Sequence, residues 1–346
     1  MKKWLPASLL FLVLFISCNQ INTYKRWDND HIDARIRNDI AERNAKIMAL
    51  AYNCDYKGLS EYISDTLKKL QSYELEKKFL PKMRGHLAGK SYNVFREYYV
   101  ENSNDFASIK IADGKNEDAF KINLNALTKE TYISMLQLND SNYSEILTLV
   151  YGHYKTGWKI NILQIGGYSI KGKNCQDFYK DARRLYVDHD LTDALLTMTL
   201  SDMDSKLFPG FKFDNEEEMK AFHDKLQDSI NRKYPLPYTL AQVSTKPQIF
   251  RVRYELVNDG WYLMISYLTK TPISDTLSLK KENNEIQKNI TDEFAGVYEH
   301  NKLIVYKAFN EFPENGKPNP WNYQFVYRRD ISQLPTARLL RPKAAK

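Results

Sequence analysis

The chain is poor in the residues that usually carry chemistry. Only three of its 346 residues are cysteine and six are histidine. No two histidines have the helical spacing of a zinc protease, and neither a Gly-x-Ser-x-Gly elbow nor a phosphate-cradling Gly-Lys-Ser loop occurs. Asp202-Met203-Asp204-Ser205 and Asn139-Asp140-Ser141-Asn142 offer oxygens to calcium, but lack the length and closing glutamate of a dedicated loop. Charge of one sign is also scarce: 50 basic residues face 43 acidic ones, a net +7. The two signs alternate through most of the chain, whereas nucleic-acid binders gather their charge on one face. A nucleic-acid partner is therefore not expected. The one lopsided stretch is the end, with Arg328, Arg329, Arg338, Arg341, Lys343 and Lys346, which reads as a solvated basic tail over 331–346. After residue 16 no apolar run approaches the roughly 20 residues of a bilayer span.

What is present begins with the leader. Lys2 and Lys3 precede an apolar run from Leu5 to Ile16, the length of a signal-peptide core. The run ends Phe15-Ile16-Ser17-Cys18, which resembles the lipobox of bacterial lipoproteins, with Phe15 where leucine is usual. The resemblance implies removal of residues 1–17, diacylglyceryl transfer to the Cys18 thiol and acylation of the new amino group. Two or more acyl chains hold a protein stably at a membrane. The expected address is extracytoplasmic, and Asn19 after the cysteine leans towards the outer membrane if the cell has one. Residues 18–32 are polar and read as a tether. Cys54 and Cys175 remain; two thiols are expected rather than a bridge.

Apolar residues at helical spacing predict a helix over 33–52, a short one around Leu59 and Ile63, and a third over 67–80 that Pro81 stops. Gly85 and Gly89 then mark a loop. From Tyr92 the period changes to two. Strands are predicted over 92–100, 106–111, 120–124, 131–138, 145–154 and 158–165, with a turn at Asp113-Gly114-Lys115-Asn116. Helices followed by an antiparallel meander resemble the NTF2-like (cystatin-like) α+β cone. The closing hairpin YGHYKTGWKINILQI, Tyr151 to Ile165, is most similar to that family. The resemblance covers residues 33–170 and implies a curved sheet wrapped around helices.

A helical connector is expected over 171–235, and a ββαββ domain over 236–330. The fold class is thus α+β, an NTF2-like domain and a smaller second domain joined by helices. Asn258-Asp259-Gly260-Trp261 echoes Lys155-Thr156-Gly157-Trp158, either as a remote duplication or as a hairpin turn reached twice.

The densest titratable cluster, Asp188-His189-Asp190, falls at a predicted helical turn, where polar residues are ordinary. His153 and His223 read as surface and boundary residues. Enzymes of the cone type hold an aspartate or histidine inside the cone, and no aspartate stands at an inward position of the last two strands. No catalytic residue, metal or cofactor is therefore expected. The expected role is binding or scaffolding in the cell envelope, with an envelope protein as partner. The alternatives are a small-molecule or glycan binder using the cone, with Tyr98, Tyr151 and Trp158 as lining residues, and a cone-type isomerase or dehydratase.

Overall fold

Asp33 opens the first helix: its carboxylate accepts from the Arg35 amide, and α1 runs Ala34–Tyr52. Ile40, Ile47 and Ala51 recur along one side and are buried, with Asn44 among them. The computed structural model describes residues 24–87, 91–139, 143–203, 207–257, 260–294, 301, 303–313, 322–328 and 338–340. The leader, the lipobox with Cys18 and Gly89 lie outside the described residues.

Three helices follow: α2 (Tyr56–Ser60), α3 (Asp65–Glu74) and α4 (Leu80–Leu87), the last two joined by a widened π-type turn at Leu75–Phe79. Pro81, expected to stop the helical stretch, sits in the first turn of α4. The helical run from 65 to 87 continues through it, and the widened π-type turn just before it makes room for the ring and the missing N–H. Gly85, expected in a loop, lies inside α4.

The architecture is α+β, with eight α-helices among the described residues and an antiparallel sheet curled into a half-barrel. That sheet has the order β1 (Tyr24–Asp28), β2 (Ser91–Asn102), β5 (Glu130–Asn139), β6 (Tyr143–Tyr154), β7 (Gly157–Ile170) and β8 (Lys173–Asn174). The first strand corrects the tether reading. Tyr24 to Asp28 pairs with Asn102 to Tyr98, because Trp27 anchors the segment against Tyr99 at 5.4 Å between ring centroids. The expected meander is corrected too. β3 (Ser108–Asp113) and β4 (Phe120–Asn125) leave the curled sheet and form a second one with β9 (Phe211–Phe213).

The curled sheet is covered on both faces. Tyr99, Tyr132 and Tyr151 pair laterally across β2, β5 and β6 and pack with the helices. Their immediate neighbours Tyr98, Ile133 and Val150 point to the opposite face and pack beneath the small sheet.

The connector is the helical pair α5 (Cys175–Val187) and α6 (Leu191–Met203), followed by α7 (Glu216–Lys233). Asn174 and Asp177 form a reciprocal capping box at the start of α5. The remaining strands form a six-stranded sheet in chain order: β10 (Tyr238–Thr239), β11 (Gln248–Val257), β12 (Gly260–Leu268), β13 (Leu303–Phe309), β14 (Asn322–Arg328) and β15 (Arg338–Leu340). β12 and β13 are parallel, since α8 (Thr276–Glu293) intervenes between them. Residues 338–340 of the expected basic tail pair with β14. α8 buries Leu279, Ile286 and Ile290 against Leu263, Ile265, Tyr306 and Phe325. The Tyr254 hydroxyl donates to Asn301 Oδ1 (2.8 Å), and Asn301 Nδ2 donates to Asp193 Oδ1 (3.1 Å), which ties this sheet to α6.

Candidate functional site

The small sheet owes its position to alternation. Phe120, Ile122 and Leu124 of β4 are buried while Lys121, Asn123 and Asn125 face water. Together with Ile109 and Ile111 of β3, the dry residues pack on Tyr98, Val100, Ile133, Met135 and Ile146 of the curled sheet. Two side chains of the edge strand β1 fasten the seam: Arg26 Nη1 donates to the Ala112 carbonyl at 3.0 Å, and the Tyr24 hydroxyl donates to that of Lys110.

At the turn end of β3 and β4 the two sheets part around a cavity of about 590 Å³. Phe95, Phe120, Tyr168, Phe211 and Phe213 form its apolar walls. Their rings are interlocked: Phe95 lies 4.9 Å from Tyr168, and Phe211 lies 4.8 Å from Phe120 and 5.0 Å from Phe213, between centroids. The turn itself requires Gly114, whose φ is +81°; a Cβ there would stand 2.4 Å from the Asp118 carbonyl oxygen.

Charge enters through Arg96 and Asp113. The Asp113 carboxylate accepts from the Tyr98 hydroxyl at 2.5 Å and from the Gly114 amide at 2.6 Å, with Arg96 Nε at 3.6 Å. Burial, reinforced by Asp113, holds the Tyr98 phenol far above its usual range, so it stays a donor. The Arg96 guanidinium lies 5.1 Å from the Phe95 ring centroid. Lys115 and Asp118 stand on the rim, so both signs are balanced around the opening. Such a cavity suits a flat, ring-bearing molecule with a polar head; its volume is within the range of about 300–1,000 Å³ usual for ligand sites.

The three residues expected to line a pocket are not brought together. Tyr151 and Trp158 fill the interior between sheet and helices, and Tyr98 lies on the opposite face. The Tyr151 hydroxyl donates to Asn44 Oδ1 (2.6 Å), Asn44 Nδ2 donates to Ser134 Oγ (2.9 Å), and the Trp158 ring meets Tyr99 and Tyr132 edge-on. Strand alternation is the reason: Tyr98 is one residue from Tyr99, which shares the row of Tyr151. The cavity residues Phe95, Arg96, Tyr168 and Phe211 were not singled out from the sequence. Their only local signal is the aromatic pair flanking Lys212 immediately after Pro209-Gly210.

Several buried carboxylates also escaped the sequence reading, Glu97 and Glu145 among them. Glu97, 4% exposed, points towards the helices from β2, and desolvation raises its pKa. Tyr132 and Arg37 pull in the other direction, although the Tyr132 hydroxyl makes no well-formed hydrogen bond. Glu145, equally buried, meets His86 at 2.6 Å. Asp188-His189-Asp190 forms the turn between α5 and α6, with His189 at φ +66°. His223 pairs with Asp202 at 2.5 Å, a bond that raises the imidazole pKa. Cys54 and Cys175 carry thiols, with no bridge between them. Among the described residues no group of three or more His, Cys, Asp or Glu is placed to hold a metal, and no helix is long and apolar enough to cross a membrane. Comparison with family models, curated proteins and solved structures gives no match.

Proposed function

We propose that the chain is an extracytoplasmic lipoprotein, held to a membrane through lipid on Cys18, that binds a small ring-bearing molecule in the seam between its two N-terminal sheets. The aromatic cavity of about 590 Å³ beside Arg96 and Asp113 carries this reading. In the same reading residues 33–170 are NTF2-like, which the four helices packed on one face of a curled sheet support. The second domain, taken as ββαββ, braces the connector. The ligand sits outside the cone: Tyr132, Tyr151, Trp158 and the helix side chains occupy the interior.

Native mass spectrometry on protein purified gently from its own envelope is the test. A defined small added mass is the expected result, and Tyr168→Ala and Phe213→Ala should each lower its occupancy by roughly tenfold while leaving the far-ultraviolet circular dichroism unchanged. Retention of the same mass by both variants would move the ligand elsewhere. Chain that carries no added mass, and that fails to bind an anilinonaphthalene sulfonate probe in the cavity, would remove the reading.

A further inference from the structure

Strand β7 is 14 residues long, and among the described residues one of its edges is nearly bare. Its inner edge pairs with β6 along its length, while on the outer edge β8 reaches only Ser169 and Ile170. At the other end the chain itself begins to add a strand. Ser64 N donates to the Ile160 carbonyl (2.9 Å), and Ile160 N donates to that of Tyr62 (2.7 Å), in parallel sense. The segment then turns away into α3. From Asn161 to Tyr168 the outer edge has no backbone partner among the described residues.

Open edges in folded proteins are usually blunted by charge, proline or brevity, because their unpaired N–H and C=O groups recruit other strands. Here Asn161-Ile162-Leu163-Gln164-Ile165-Gly166-Gly167-Tyr168 contains neither charge nor proline. Irregularities of register against β6 fall near both ends, leaving a regular stretch from Ile162 to Gly167.

A cleft of about 450 Å³ runs beside the first part of this stretch, from Asn161 to Gln164. Leu67 walls it from the helical face of the curled sheet, and Phe208, Pro209 and Gly210 wall it from the face of the small sheet. Because the walls belong to opposite faces, the strand edge between them forms the floor. Asn123, Asn125, Asn161 and Gln164 add four carboxamides, each both donor and acceptor, and no lining residue is charged.

We infer that the outer edge of β7 is a docking site for an extended, uncharged segment of a partner protein, which adds as a strand over Ile162–Gly167. Main-chain hydrogen bonds to the edge supply affinity, and the amide-lined cleft takes alternate side chains of the incoming strand. A second copy of this chain does not fit, since its own β7 edge lies equally deep between two walls. Neutral walls select against Lys, Arg, Asp and Glu at inward positions, because an unpaired charge there loses its water without compensation. About six residues at roughly 3.3 Å each span the stretch. The site stands apart from the aromatic cavity, and its failure would leave that reading intact.

The test uses the full chain in detergent and an acetylated, amidated heptapeptide of alternating threonine and valine. Saturable binding is expected, weakened roughly tenfold or more when every amide of the peptide is N-methylated. Gln164→Lys should weaken binding similarly with an unchanged melting temperature, and Gln164→Leu should retain it. Equal binding of the N-methylated peptide, or no binding at millimolar peptide, overturns the inference whether or not the lysine variant folds. So does a neutral oligosaccharide that occupies the cleft where the peptide does not. A concentration-dependent dimer abolished by Gln164→Lys would likewise overturn it, by making the occupant a second copy.

Discussion

Glu97 sits where a packed interior usually holds an apolar side chain. Its neighbours on the same face of the sheet are Ser134 opposite and, two residues on, the row of Tyr99 and Tyr132. Burial raises its folded pKa above the unfolded value, so the folded state prefers the protonated acid. For a group shifted this way, stability is fully present below the unfolded pKa and is lost as pH rises through the folded one. Glu97→Gln keeps a neutral polar group at every pH. The variant should match the parent near about pH 4 and melt higher near about pH 8. A lower melting temperature at the alkaline end would show that the ionised carboxylate, through Arg37, stabilises the fold. At this scale the sequence was informative about residue type and silent about facing. Tyr98 and Tyr151 can be placed on opposite faces only once the pairing of β2, β5 and β6 is known. Glu97 was missed because an aspartate was sought on the last two strands, while it is a glutamate on the first long one.

Among the elements, periodic ones were the most legible. The alternation of Phe120, Ile122 and Leu124 and the stripe through Ile40, Ile47 and Ala51 each defined a strand or helix close to its observed limits. Alternation shows that a strand has one dry face; it does not say which sheet the strand joins. The departure of β3 and β4 to meet β9 was therefore unreadable, and so was the seam they create. Pro81 misled for a related reason: a proline marks either the end of one helix or the first turn of the next, and the π-type turn before it decides in favour of the second. Gly210 is the element-scale hinge of the seam. A Cβ there would approach the Asn123 carbonyl oxygen to 2.3 Å, and Asn123 N donates to the Gly210 carbonyl at 2.8 Å. Gly210→Ala should lower stability by about 1–3 kcal/mol, through β4 and β9 being forced apart. A urea midpoint identical to that of the parent would mean that the strands shift without cost.

For the molecule as a whole, the proposed anchor and the fold meet at β1. Cys18→Ala should abolish labelling by a fatty acid and leave unprocessed or soluble chain, whereas persistent labelling would sink the lipoprotein reading. Its folded part should be untouched, since β1 is held by its own pairing with β2 over Tyr24 to Asp28. The sequence separated strand-like stretches on either side of a helical middle, but not their sharing among three sheets, nor the parallel pairing within the second six-stranded one. The parallel pairing of β12 and β13 has no counterpart among the antiparallel pairs of the curled sheet, which weighs against duplication. The edge strand has a mechanical consequence. Any pull on the chain at Tyr24 acts along a strand matched to β2 over all five of its residues. Force applied in line with that strand loads the five positions together, as in a lap joint, instead of unzipping them in turn. The clasps of Tyr24 and Arg26 onto β3 pass part of the load to the small sheet, so tension on β1 tightens the seam before it can strip the edge.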